Sequence, residues 1–235
     1  MTVTSSMCDA SARLSIPAAI DIFQDIAADH ALILGIDGLT IKEKHNAFWA
    51  ITKTKLRFFG RPAFFEKITA KTWPSKPSGV RCLRNYTISS EKGLVCEGKS
   101  EWVILDYTTR FPKKLSSIDF PAELDYLDDK LSLDGFAKGA PEFSEEDFVY
   151  SRQIRYCETD LSRHMNNAYY CRYVLDTFDE SFFDENERFE LDISYIRESK
   201  IGDTLKIYRR QDGEGYVFGL MRDDTLLCVT RIKTF

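Results

Sequence analysis

Asp160, Ser162, His164, Asn166 and Asn167 fall within eight residues, just where an amphipathic stretch begins. A carboxylate, a hydroxyl, an imidazole and two amides in that spacing can bind a water, take its proton and hold a polarised carbonyl. His164 is one of only three histidines in the chain. If the turn from Asp160 to His164 is tight, both side chains face one pocket. Asp160 then orients a water or His164, or attacks directly. The helix start near Asn166 and Asn167 adds unpaired backbone N–H groups, a natural seat for a carbonyl oxygen. Plainer roles exist for each: Asp160 as a turn residue, Asn166 or Asn167 as a helix cap. Glu198 closes an alternating stretch and is a further acid, whose plain reading is an exposed strand end.

The elements that must position these groups repeat. Ile16, Ile20, Phe23, Ala27 and Leu34 recur at helical spacing, with Asp21, Asp25 and Asp29 on the opposite face, which predicts a helix over 16–34. Strand-like segments follow at 47–59, 64–73, 79–90 and 95–107. Cys171, Val174, Leu175 and Phe178 predict a second helix over 166–180, followed by strands at 188–197, 203–210, 215–222 and 225–234. Phe189, Leu191, Ile193 and Tyr195 alternate with Glu190, Asp192 and Ser194, the period of a half-buried strand. Each half is thus one long helix followed by antiparallel strands, the hotdog arrangement. We expect an α+β fold of two tandem hotdog domains, each a long helix wrapped by a curved antiparallel β-sheet. The expected division is 1–115, a linker crossing over 116–147 with a short helix near 121–130, and 148–235.

Composition bounds the function. The formal net charge of −5 argues against a nucleic-acid partner. No apolar run is long enough for a membrane helix, and the N-terminus lacks a basic segment followed by an apolar core, so neither a membrane anchor nor a signal peptide is expected. Six scattered cysteines without a CxxC pair fit reduced thiols in the cytoplasm, not a zinc site or a disulfide frame.

The run Arg155-Tyr-Cys-Glu-Thr-Asp160-Leu-Ser-Arg-His164-Met-Asn-Asn-Ala-Tyr-Tyr resembles the signature of acyl-ACP thioesterases of the plant and bacterial type. Phe23-Gln24-Asp25-Ile26-Ala27 with His30, then Phe48-Trp49, Lys71-Thr72-Trp73-Pro74 and Tyr195-Ile-Arg-Glu198-Ser-Lys-Ile-Gly202-Asp203 agree in the family's order. The resemblance implies hydrolysis of fatty acyl-ACP to free fatty acid and acyl carrier protein, in fatty acid biosynthesis, with no metal or cofactor. It implies Asp160, His164 and Glu198 as the catalytic set. Two positions depart from the family: Ser162 stands where an Asn is usual, and Ser199 where plant members often carry Cys. Ser162 still offers a donor and an acceptor to water or His164. Ser199 lacks an evident base, which favours an activated water over a seryl intermediate.

Around that set, Asn166, Asn167, Gln24 and Trp49 are the expected substrate contacts. The first half lacks the chemistry: Asp9 to Ser15 contains no histidine, and Arg61 stands opposite Glu198. We therefore expect one site per chain, made by the second half, with the first half shaping the acyl pocket. His30 and His45 read as structural or exposed. Lys53, Lys55 and Arg57 along one strand, with Arg81 and Arg84 on another, are candidates for docking an acidic carrier. The chemistry also fits an acyl-CoA thioesterase, and the loss of the amide at Ser162 keeps open a non-catalytic acyl-binding hotdog protein. A monomer or a homodimer fits equally.

Overall fold

Ser15 and Pro17 start the first helix, α1 (Ile16–Ile33). Pro17 lies at a position where its missing N–H costs nothing, and Ser15 accepts from the Ala18 N–H as N-cap. The computed structural model describes residues 1–235 except 122, 123, 125, 128 and 129. The short helix expected near 121–130 lies in part on those positions, outside the described residues.

The chain divides into two compact units, residues 1–52 with 61–134, and residues 53–60 with 135–235. In the first, α1 buries Ile16, Ala19, Ile20, Phe23 and Ala27, and Phe23 stacks on Tyr86 with ring centroids 4.7 Å apart. A helix not expected from the sequence follows, α2 (Gly38–His45). Its signal was local: Asp37 accepts from the N–H groups of Leu39 and Thr40, and Asn46 ends the helix in the left-handed region. Next come β1 (Ala47–Phe58), β2 (Ile68–Pro74), β3 (Arg81–Ser90), β4 (Gly93–Asp106) and the two-residue β5 (Pro112–Lys113). The unit's strand order is β2-β3-β4-β1, with β5 pairing off this path to Ile104 and Leu105 of β4. Leu115 and Ile118 are buried in this unit's core with Ile36, Ile41 and Ile104. That burial is why residues 116–134, expected in the linker, group with the first unit.

The second unit contains the later part of β1, then β6 (Phe148–Gln153), α3 (Asn167–Leu175), α4 (Glu180–Glu185), β7 (Phe189–Tyr195), β8 (Thr204–Asp212), β9 (Gly215–Arg222) and β10 (Thr225–Thr234). Lys53–Phe58 of β1 pair antiparallel with β7, and the order continues β7-β10-β9-β8-β6. The helix expected over 166–180 is two pieces. Asp179 accepts from the Phe182 N–H and opens α4 as a new helix, so Thr177–Asp179 is a break. Phe178 there stacks on Phe182 at 4.0 Å. The buried face of α3 includes Tyr170 and Tyr173 besides Cys171 and Val174. Among the described residues no helix is long and apolar enough to cross a membrane.

Candidate active site

The approach to the Asp160 loop is fixed from beneath by Glu158. Its carboxylate is buried and accepts from Arg152 Nη2 at 2.6 Å, the Arg155 N–H at 2.7 Å and Tyr173 Oη at 2.8 Å. Burial, then the hydrogen bond to Glu158, raises the Tyr173 phenol above its usual range, so it stays a donor. Tyr173 belongs to α3, so this single carboxylate ties the loop to the helix it precedes.

The loop closes on itself. The Asp160 N–H donates to the His164 carbonyl at 2.9 Å, and the Arg163 N–H donates to the Asp160 carbonyl at 3.0 Å. Arg163 has φ of 65°, a left-handed conformation that costs a non-glycine residue roughly 1–2 kcal/mol. Asp160 Oδ1 collects three donors: the Ser162 N–H at 2.8 Å, Ser162 Oγ at 2.6 Å and the His164 N–H at 3.3 Å. The Met165 N–H donates to the Ser199 carbonyl at 2.8 Å, which fastens the loop to the segment carrying Glu198.

The side chains then form a line. Ser162 Oγ lies 3.2 Å from His164 Nδ1, and His164 Nε2 lies 3.3 Å from Glu198 Oε2. Three contacts join four groups, and each needs one proton. The Ser162 hydroxyl has one, which the short contact to Asp160 uses. With both carboxylates ionised, the other two contacts are satisfied together only when both imidazole nitrogens carry hydrogen. The line is therefore complete as an imidazolium between two carboxylates. It is one proton short when His164 is neutral, a state in which the imidazole can accept a proton. Asp160 Oδ2 has no partner among the described residues and is the carboxylate's open face. Glu198 is half-exposed, with 46% of its side chain accessible, so water reaches it.

Asn166 and Asn167 separate in role. Asn166 Oδ1 accepts from the Ala168 N–H at 2.9 Å and is the N-cap of α3. Its Oδ1 is thus committed to the cap. Asn167 opens the helix, its N–H among those a helix leaves unpaired, and its carbonyl accepts from Tyr195 Oη at 3.3 Å. Ser199 is buried, in contact with Tyr170 Oη at 2.7 Å and Met165 Sδ at 3.5 Å. That packing leaves it no base to activate it.

Gln24 and Trp49 come together in the first unit, in the wall of a cavity of about 190 Å³ with Ala27, Ala31, Leu34 and Trp102. The Trp49 indole donates to the Ile36 carbonyl at 2.8 Å, so toward the cavity it offers its apolar surface. The expected basic docking faces are corrected. Lys55 is buried and pairs with Glu190 at 2.7 Å and Asp192 at 3.7 Å, and Arg57 pairs with Glu190 at 2.7 Å. Arg84 is only 7% exposed, and Arg81 faces Glu101 at 3.6 Å. A strand's alternation reveals one face but not whether acids on the next strand neutralise it. Exposed cations also stand on the site loops: Arg155, Arg163, Arg197 and Lys200, interleaved with exposed Tyr156, Leu161, Ile196 and Ile201. Sequence reasoning passed over them because they stand apart along the segments before α3 and after β7. Their signal was nearness to Asp160 and Glu198.

Comparison with known proteins bears on the family and the fold. The chain matches the model of the acyl-ACP thioesterase N-terminal domain over residues 1–119 and that of the C-terminal domain over residues 142–225. It is 22% identical over 228 residues to a chloroplastic acyl-[acyl-carrier-protein] hydrolase of Cuphea viscosissima, covering 92% of this chain and 55% of the relative. It is also 22% identical over 210 residues to an oleoyl-acyl carrier protein thioesterase of Arabidopsis thaliana, covering 79% of this chain and 55% of the relative. The chain thus spans about half the length of these curated relatives. Among solved structures, the 12:0-ACP thioesterase from Umbellularia californica superposes with a TM-score of 0.83 at 18% identity, covering 99% of this chain and 94% of that one. An acyl-ACP thioesterase from Bacteroides thetaiotaomicron gives 0.82 at 18% identity, covering 100% and 96%. These two establish the double hotdog fold.

Proposed function

Because the chain belongs to the acyl-ACP thioesterase family, we propose that it hydrolyses fatty acyl-ACP to free fatty acid and carrier, as a step of fatty acid biosynthesis. The observation that carries this reading is the unbroken line from Asp160 through Ser162 and His164 to Glu198. A water held between the open face of Asp160 and Glu198 attacks the thioester carbon, and its proton passes by way of the Glu198 carboxylate to the neutral His164, which then carries hydrogen on both nitrogens. The carbonyl oxygen, now an oxyanion, takes the Asn167 N–H, with the Asn167 amide beside it. One such donor is worth roughly 3–4 kcal/mol of barrier. The C–S bond then breaks and His164 returns a proton to the thiolate. A thiol with a pKa near 8.5 leaves readily, so strong acid help is dispensable. The acyl chain occupies the cavity of the first unit, a role its Ala, Leu and Trp lining supports.

The carrier is read from charge. The chain is net negative, yet Arg155, Arg163, Arg197 and Lys200 crowd the site loops, a surface suited to an acidic protein. The six cysteines, none of them in a disulfide, support a reducing compartment such as the cytoplasm. The test is release of free acid from decanoyl-ACP by the purified chain, with decanoyl-CoA in competition. Turnover of decanoyl-ACP well above buffer is expected, and an Arg163→Glu, Lys200→Glu double variant should raise KM for the ACP thioester while sparing a neutral pantetheine thioester. Decanoyl-ACP that stays intact through prolonged incubation would sink the hydrolase reading. Equal turnover of both carriers, insensitive to the charge reversal, would leave a thioesterase without a carrier preference.

A further inference from the structure

Arg84 is the odd member of the first unit's cavity. It projects from the inward face of β3 between Cys82 and Tyr86, both buried, and is itself 7% exposed. The wall around it is mainly apolar, with Ala27, Leu34, Trp49, Trp102 and Phe120. An uncompensated charge in such a place is costly, and buried charges are ordinarily paired with an opposite one. Arg84 has no carboxylate partner among the described residues. Its Nη1 donates to His30 Nδ1 at 3.1 Å and to Thr72 Oγ1 at 3.2 Å, both uncharged acceptors. Since a guanidinium only donates, His30 Nδ1 must be the bare nitrogen. Burial first and the nearby Arg84 second push His30 below the usual histidine range, so it stays neutral.

A second group in the same wall lacks a partner. Gln24 lines the cavity, and its amide nitrogen is buried without a hydrogen bond. The other polar groups of the wall are occupied. The Trp49 indole donates to the Ile36 carbonyl, the Trp102 indole donates to Ser100 Oγ, and Asp37 caps α2. What remains unspent is a planar fork of N–H groups carrying a positive charge, with an amide donor on the same wall. That set matches a carboxylate.

We propose that the cavity selects an acyl group whose far end bears a carboxylate, held by Arg84 with help from Gln24, so that the preferred substrate class is the ω-carboxyacyl thioester. This rests on the reading that the cavity receives the acyl chain. A plain alkyl end leaves the guanidinium without a counter-charge and the Gln24 amide nitrogen without an acceptor, whereas a carboxylate supplies both.

Binding and hydrolysis separate this inference from the function it rests on. Monomethyl and dimethyl decanedioate differ by one methyl group and one charge. Titrated against the fluorescence of Trp49 and Trp102, the monoester should bind at least tenfold tighter than the diester. Arg84→Met should reduce that preference to under threefold, Arg84→Lys should leave an intermediate value, and Gln24→Leu should weaken it severalfold. The wild-type pair suffices if Arg84→Met fails to fold, because a purely apolar cavity would reverse the order and favour the diester. Equal binding of the two esters, or an unchanged preference in a folded Arg84→Met, overturns the proposal. Hydrolysis of ω-carboxynonanoyl-ACP and decanoyl-ACP completes the test. Turnover of the decanoyl thioester without any preference for the carboxylated one overturns the inference and leaves the hydrolase intact. An Arg84-dependent binding preference with neither thioester cleaved upholds the anion site and refutes the hydrolase.

Discussion

The loop at Asp9 and the loop at Asp160 are built on one backbone plan and end in opposite chemistry. In both, the aspartate N–H donates to the carbonyl four residues on, Arg13 in one and His164 in the other, at 2.9 Å. In both, Oδ1 accepts from the N–H groups two and four residues on: Ser11 and Arg13 at 3.1 and 3.3 Å, Ser162 and His164 at 2.8 and 3.3 Å. The third position on is left-handed, Ala12 with φ of 54° and Arg163 with φ of 65°. Ser15 and Asn166 each cap the following helix. Further on, Phe65 and Gly202 share a positive φ, and Glu66 and Asp203 each accept from an N–H three residues back. The difference is the partner. Asp9 forms an ion pair with Arg61, whose side chain is 1% exposed, whereas the position of Arg61 is taken in the second unit by Glu198. A cation there closes the carboxylate into a staple. An anion there, with His164 in place of Arg13, leaves two carboxylates that an imidazole must bridge.

The comparison breaks most visibly if the second loop is made to imitate the first. Glu198→Arg should behave as Arg61 does, pairing with the acid and removing the imidazole's partner, and should lower kcat for decanoyl-ACP by about 10²–10⁴, the usual worth of general-base help. Asp160→Asn should fall in the same range at unchanged thermal stability. Wild-type-like rates in both variants would show that the line of four groups is not the site.

The converse change acts on stability instead. Arg61→Met removes the cation from Asp9 and should cost about 2–3 kcal/mol in urea unfolding. That is below the roughly 3–5 kcal/mol of a fully buried pair, because Asp9 keeps 28% of its side chain exposed and regains water. The rate per folded molecule should hold. A rate loss as large as that of Glu198→Arg would mean that the first loop takes part in the chemistry.

How far these loops could be read in advance differs by level. The helix at 16–34 and the strands at 215–222 and 225–234 were legible because burial imposes a period that sequence displays directly. The break at Thr177–Asp179 was not, since Phe178 continues the apolar face and only the cap at Asp179 betrays the new helix. Within the site, Asp160, Ser162 and His164 stood together because they are local, and the family resemblance brought in Glu198. Glu158 escaped notice. A buried acid is recognisable only once Arg152 and Tyr173, distant in sequence, are seen to surround it. Arg84 read as a surface cation for the same reason, because its strand's inner face is defined by α1 and β4 and not by its neighbours in sequence.

Ser162 sharpens the comparison at a finer scale. Its hydroxyl joins Asp160 to His164 at 2.6 and 3.2 Å, so Ser162→Ala should lower kcat about tenfold, near 1.4 kcal/mol, with KM little changed. Ser162→Asn supplies the amide usual in the family and should recover most of the loss. An alanine variant as active as wild type would show that His164 is oriented by Glu198 alone. Ser11→Ala, at the matching place, should change stability by less than about 0.5 kcal/mol.

The smallest expected effect tests what the two loops share. Ser15 and Asn166 both accept an N–H of the helix they precede, at 3.2 and 2.9 Å, and an N-cap replaced by alanine typically costs about 1 kcal/mol. Ser15→Ala and Asn166→Ala should therefore lower unfolding free energy by similar amounts, one in each unit. Asn166 stands two residues from His164, which makes it the sensitive case. If it only caps, its alanine variant loses stability while kcat for decanoyl-ACP stays within about threefold, an effect under 1 kcal/mol on the barrier. A loss beyond tenfold at unchanged stability would return Asn166 to the substrate, and the two loops would then differ in their caps as well as in the partner of their aspartate.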